Sequence, residues 1–131
     1  MEEYIQLFKL YPEQFPRGYF KHLKSSLQEH INKNTLIYNN GVLITWKIYK
    51  NKTKKYKRGD VKLCHFINKQ PGNNQATIAM NSFLQTYPNL KLEVRNNNIR
   101  ALKFYKKCGF TKINDIFFGK LFPGQVMERI C

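Results

Sequence analysis

The stretch Leu92-Glu93-Val94-Arg95-Asn96-Asn97-Asn98-Ile99-Arg100-Ala101-Leu102-Lys103-Phe104-Tyr105-Lys106-Lys107-Cys108-Gly109-Phe110 carries the reading of this chain. Leu90 to Val94 is a short, β-prone run. The three asparagines then supply a helix cap, because a side-chain carbonyl accepts from the N–H groups that a first turn leaves unpaired. Ile99, Leu102, Tyr105 and Cys108 recur at helical spacing and predict a buried stripe. Lys103, Lys106 and Lys107 fall on the wet side, the last two complementing the negative end of the helix dipole. Gly109 fits the left-handed position past the helix end. The segment therefore reads strand, cap, helix, stop.

Upstream, Ala76 to Tyr87 reads as a helix with Met80, Phe83, Leu84 and Tyr87 on one side, closed by Pro88. Asn68 to Gln75 is a polar loop, and Asp60 to Ile67 a strand. Before it, Lys50, Lys52, Lys54, Lys55, Lys57 and Arg58 form a basic loop, expected to be a solvated, mobile hairpin tip because like charges repel. Thr35 to Tyr38 and Val42 to Tyr49 are β-prone runs around Asn39-Asn40-Gly41, a hairpin signal. The first third is helical to about Lys33, with Tyr4, Leu7, Phe8 and Tyr11 on one face and Phe20, Leu23, Leu27 and Ile31 on the next. Pro16 can open the second helix. Downstream, Ile113 to Phe118 and Gln125 to Ile130 are two final strands around Gly119 and Pro123-Gly124. The order α-α-β-β-β-α-β-α-β-β places the chain in the α/β (α+β) class.

With 131 residues, no repeat and no Gly/Ser- or Pro-rich linker, residues 1–131 are expected to form a single domain. Hydrophobic residues at 42% argue against intrinsic disorder. No apolar run approaches a membrane span, so no membrane partner is expected. The acidic Met1-Glu2-Glu3 start lacks the features of a secretory signal. Cys64, Cys108 and Cys131 are odd in number and far apart, and His22, His30 and His65 show no ligand grouping. Neither a disulfide framework nor a metal site is expected, and a reducing cytoplasm is the default, a host's if the chain is virus- or phage-encoded. The net charge of +15 (23 Lys+Arg against 8 Asp+Glu) attracts polyanions, nucleic acid among them, although a Lys- and Asn-rich composition also follows from AT-rich coding.

The opening segment resembles the C-terminal motif of GNAT-type N-acetyltransferases: strand, Val-x3-Asn, Ala, Tyr, x3-Gly-Phe. Its Leu-Glu-Val-Arg run is similar to that of bacterial ribosomal-protein N-terminal acetyltransferases. The resemblance covers roughly Thr35 to Cys131 and implies a mixed sheet flanked by helices, whose central parallel strands, here Asp60–Ile67 and Leu90–Val94, splay to admit the pantetheine arm of acetyl-CoA. The family usually starts with a strand that this chain does not show, so the sheet is expected to be one strand short.

The resemblance implies acetyl-CoA as cosubstrate and an amine acceptor, small molecule or protein, that attacks the thioester directly. By ungapped counting, the pyrophosphate loop falls on Pro71-Gly72-Asn73-Asn74-Gln75-Ala76. Pro71 stands where the family has Gln or Arg, Asn74 where it has its first Gly, and Ala76 obeys the pattern. Backbone groups of Cys64, His65 and Phe66 would pair with the pantetheine, and the Asn98 side chain would hold it from the other wall. Tyr105 stands at the general-acid position. Glu93 and Asp60 match two alternative proton-acceptor positions. The competing expectation is a GNAT-like fold without turnover, acting as a basic module for nucleic acid or an acidic protein. The oligomeric state stays open, a homodimer among the options.

Overall fold

The computed structural model describes residues 1–130, and Cys131 lies outside the described residues. The elements run α1 (Glu2–Lys9), a 3-10 turn (Arg17–Lys21), α2 (Leu23–Asn32), β1 (Leu36–Asn39), β2 (Val42–Ile48), β3 (Val61–Asn68), α3 (Gln75–Thr86), β4 (Leu90–Arg95), α4 (Ile99–Lys107), β5 (Thr111–Phe118) and β6 (Phe122–Arg129). One six-stranded mixed sheet has the order β1-β2-β3-β4-β6-β5. Among the described residues the first element is a helix, so the sheet holds no strand ahead of α1, as expected.

The chain divides into two compact units, one of Met1–Trp46 and His65–Ala79, the other of Lys47–Cys64 and Met80–Cys131. In the first, the core is Leu7, Phe8, Leu23, Leu27, Leu43 and Ile67. The helical periodicity of the sequence supplies Leu7 and Phe8 from α1 and Leu23 and Leu27 from α2. Burying each such side chain contributes roughly 1.5–3 kcal/mol. Pro16 does not open α2. It precedes the 3-10 turn, and α2 begins only after His22, so Phe20 and Leu23 belong to different elements. Ile31, at the far end of the expected face, is exposed. The hairpin is as expected: Asn39 faces Val42, and Asn40 and Gly41 both have positive φ, the type I′ geometry that matches strand twist.

In the second unit, β4 pairs antiparallel with β6 from Leu90↔Arg129 to Arg95↔Gly124. Within this unit β3 and β4 pair in parallel, Lys62 with Lys91 and Leu63 with Leu92. Pro123 and Gly124 lie inside β6, not in the turn where the sequence placed them. Pro123 sits one position beyond the last β4 partner, so its missing N–H breaks no rung on that side. A Cβ on Gly124 would stand 2.4 Å from Phe118 Cε2 and 2.7 Å from the Val94 carbonyl oxygen, so only glycine fits. α4 keeps most of its expected stripe: Tyr105 is buried, and Leu102 and Cys108 are half-buried. Ile99 is exposed, and Phe104 takes a share of the packed side instead, against Tyr105. Gly109 follows with φ +93°.

Candidate active site

The sheet pleat places Lys91 and Glu93 on one face of β4, and the Lys62↔Lys91 register puts Lys62 beside them. Glu93 Oε2 accepts from the Tyr56 hydroxyl at 2.5 Å and lies 3.3 Å from both Lys55 Nζ and Lys62 Nζ. Burial pushes this carboxyl up, but the hydrogen bond from Tyr56 and the Lys62 and Lys55 ammonium groups outweigh it and hold it below the usual range. Glu93 is therefore ionised at neutral pH. Tyr56 is displaced the other way, well above an ordinary phenol, by burial first and then by the carboxylate beside it.

Asp60 ends the β2–β3 loop. Its Oδ2 accepts from Lys91 Nζ at 2.7 Å and from the Lys57 backbone N–H at 2.7 Å. Slight burial raises its pKa, and these two hydrogen bonds more than compensate, so it too is held low. Both carboxylates are present in proton-accepting form, and each is already satisfied by cations of this chain.

Tyr105 projects from α4 between Phe104 and Phe110, with ring centroids 5.7 and 5.6 Å away. Burial, and secondarily Cys108, lift its hydroxyl far above the usual phenol range, so it stays protonated across the physiological window. Among the described residues no hydrogen bond or ion pair joins Tyr105, Glu93 and Asp60 to one another.

Asn98 caps α4, its Oδ1 accepting the Ala101 N–H at 3.3 Å, which leaves the amide NH2 as its donor end. Cys64 is half-buried, its thiol raised by burial in spite of Lys62 and Lys47. Phe66 is half-buried. The His65 ring is held at both nitrogens, Nε2 by the Tyr19 hydroxyl at 2.7 Å and Nδ1 by Thr45 Oγ1 at 2.8 Å, and it packs edge-on against Phe8. Its side chain is thus structural, and only its backbone is left for the role expected of it.

The loop 71–76 turns through Gly72 (φ +88°) and Asn74 (φ +64°) into α3, which opens at Gln75 and Ala76. Asn74 does adopt the left-handed conformation that the family takes with glycine. Asn73 Oδ1 accepts the Gln75 N–H at 3.1 Å. A Cβ added at Gly72 would meet nothing within 4 Å, so the loop stands open above the helix start. A left-handed turn at the N-terminus of a twelve-residue helix fits an anionic diphosphate.

The residue that sequence reasoning missed is Tyr56. The basic loop is not uniformly solvated: Tyr56 is 2% exposed and stacks on Tyr49, with centroids 4.4 Å apart. The Thr53 N–H donates to the Tyr56 carbonyl at 2.8 Å, and the Tyr56 N–H to Thr53 Oγ1 at 3.0 Å. The signal was the lone aromatic inside Asn51–Arg58, which six flanking positive charges obscured. Among the described residues no group of His, Cys, Asp and Glu could hold a metal ion. No described helix is long and apolar enough to cross a membrane.

The fold has close counterparts among solved structures. Arabidopsis thaliana Naa50, solved with the bisubstrate analogue CoA-Ac-MVNAL, superposes with a TM-score of 0.67 over 99% of this chain and 93% of its own, at 20% identity. A GnaT-family acetyltransferase from Bordetella pertussis gives 0.68 over 99% and 91%, at 12% identity. The ribosomal-protein-alanine N-acetyltransferase of Brucella melitensis gives 0.61 over 84% and 78%, at 11%. The fold is the GNAT fold. The six-stranded mixed sheet flanked by helices is the part of that fold the sequence motif had pointed to. No family model matches the chain, and no curated protein matches it in sequence. Identities this low establish the GNAT fold and leave the chemistry to be argued from the residues.

Proposed function

We propose that residues 1–131 act as a single acyltransferase domain, an acetyl-CoA-dependent N-acetyltransferase that transfers the acetyl group to a primary amine. The observation that carries this is the two-pair register of β3 and β4. The two pairs lie at Lys62 and Leu63, and the backbone of the residues that follow, Cys64, His65 and Phe66, is the edge we assign to the pantetheine arm. The left-handed loop 71–76 supports the same reading, with Gly72, Asn73, Asn74, Gln75 and Ala76 as the diphosphate cradle and the Asn98 amide as a further donor to the pantetheine.

Bound acetyl-CoA would supply the thioester that an amine attacks. The chain's own share is protonic. Tyr105 keeps its proton at neutral pH and is the donor for the leaving thiolate. Glu93 or Asp60 is the acceptor for the amine's proton, because an ammonium has no lone pair. Both are engaged, Glu93 by Tyr56, Lys55 and Lys62 and Asp60 by Lys91 and the Lys57 N–H, and the pH profiles of their variants decide between them.

A second reading, a basic binding module without turnover, rests on Pro71 where the family has a polar contact and on the +15 charge. Calorimetric titration with acetyl-CoA, followed by amine-dependent release of free CoA thiol, separates the two. Micromolar binding with amine-dependent release is expected. Absence of binding at millimolar acetyl-CoA would discard the transferase and favour the module.

A further inference from the structure

Both candidate proton acceptors are held by the same loop. Lys55 and Tyr56 hold Glu93, and the Lys57 N–H holds Asp60. The loop is closed at its base by the Tyr49 N–H donating to the Asp60 carbonyl at 2.9 Å and the Gly59 N–H to the Tyr49 carbonyl at 2.7 Å. Its backbone is therefore fixed, and its charges are presented from fixed points. Asp60 and Glu93 are both neutralised from within, by Lys91 and by Lys55 and Lys62. Lys50, Lys52, Lys54, Lys57 and Arg58 remain, all exposed, and the side chain of none forms an ion pair among the described residues. Five uncompensated cations on one ordered loop repel each other, and an anionic partner relieves that repulsion.

We infer that the β2–β3 loop selects the acceptor, and that the acceptor is an acidic peptide: a chain whose free amine is followed closely by carboxylates. The inference rests on the transferase reading, which brings an amine to Glu93. A peptide suits the loop better than a nucleic acid. Single-stranded nucleic acid binds by stacking bases on open aromatic faces beside the cations. Here Tyr56 is buried, and the Tyr49 ring is engaged by Tyr56 and by Lys47 Nζ, 4.6 Å from its centroid. The loop offers cations without a stacking platform. Carboxylates behind the amine would meet Lys52, Lys54 and Arg58, whereas lysines there would be repelled.

The test uses three short peptides labelled with fluorescein at the C-terminus and beginning Ala-Glu-Glu, Ala-Gln-Gln or Ala-Lys-Lys, measured by anisotropy with the intact protein in the presence of CoA. The Glu peptide should bind about tenfold more tightly than the Gln peptide, as two or three partly exposed charge pairs allow. The gap should close in the double variant Lys52→Glu/Lys54→Glu and persist in Lys103→Glu/Lys106→Glu, which makes the same charge change on α4. Equal affinities, a gap that survives the loop reversal, or an oligouridylate of matched charge that binds more tightly and is lost in the loop variant would each overturn the assignment. CoA release is followed on the same peptides. Turnover without charge preference overturns the acceptor class alone. Charge-selective binding without turnover sinks the transferase and leaves the loop assignment standing.

Discussion

Tyr105 and Tyr56 are both buried phenols, and their surroundings give them opposite tasks. Tyr105 sits among Phe104 and Phe110 with no carboxylate on it, so its proton is shared with no anion and fits the donor proposed above. Tyr56 spends its proton on Glu93. Tyr105→Phe should lower kcat by about two orders of magnitude, the low end of general-acid contributions, while the Kd for acetyl-CoA stays within twofold. Unchanged turnover would take Tyr105 out of the chemistry. Tyr56→Phe removes a hydrogen bond that holds Glu93 low, so the Glu93 pKa rises. If Glu93 is the proton acceptor, the acidic limb of the kcat/KM profile then moves to higher pH. A limb that stays in place, but moves in Asp60→Asn, would transfer the role to Asp60. Tyr105, Glu93 and Asp60 became candidates through the motif's resemblance to the family, which names positions along the chain. Tyr56 did not, because its partner lies 37 positions away and nothing local announces the pairing.

At the level of elements, the predicted strands and helices matched the observed ones wherever the pattern was periodic and bounded by its own caps. The β1–β2 hairpin and α4 are the clearest cases: Asn40-Gly41 and the Asn98–Gly109 bracket carry their own backbone instructions. The misreadings came where neighbours decide. Pro123-Gly124 reads as a turn in isolation, but β4 ends beside it and the Phe118 ring occupies the space a side chain would need. Gly124→Ala should therefore destabilise by about 1–3 kcal/mol, the cost of overpacking a filled position, although the substitution would favour a strand. Chemical denaturation reads this directly, and a stability within about 0.5 kcal/mol of the parent would show that both the Phe118 ring and the Val94 backbone yield freely. Ile99 was assigned to the buried stripe on spacing alone. As the first residue of α4 it has no preceding turn to pack over, and it stays in solvent.

For the molecule as a whole, the positive charge and the few carboxylates set the response to acid. The pKa values of Asp60 and Glu93 are lowered on folding, so their contribution is complete above the ordinary carboxylate range near pH 4 and is lost as pH falls through their folded values. His30, half-buried in the last turn of α2, is also lowered, chiefly by desolvation. The unfolded chain takes up its proton first, so stability should begin to fall below about pH 6.5, before the carboxylates titrate. Thermal unfolding from pH 8 to pH 3 should show two successive declines, and His30→Gln should remove the first. A single decline confined to pH 4 and below would contradict this account. The sequence by itself determined the order of elements, the hairpin and the caps of α4, because periodicity and capping act over a few residues. Tertiary structure alone decided that Lys62 pairs with Lys91 and Leu63 with Leu92, that Glu93 is clasped by the basic loop, and that a glycine inside β6 is required. Each of these depends on groups far apart in the chain meeting at distances of a few ångströms, which no local pattern encodes.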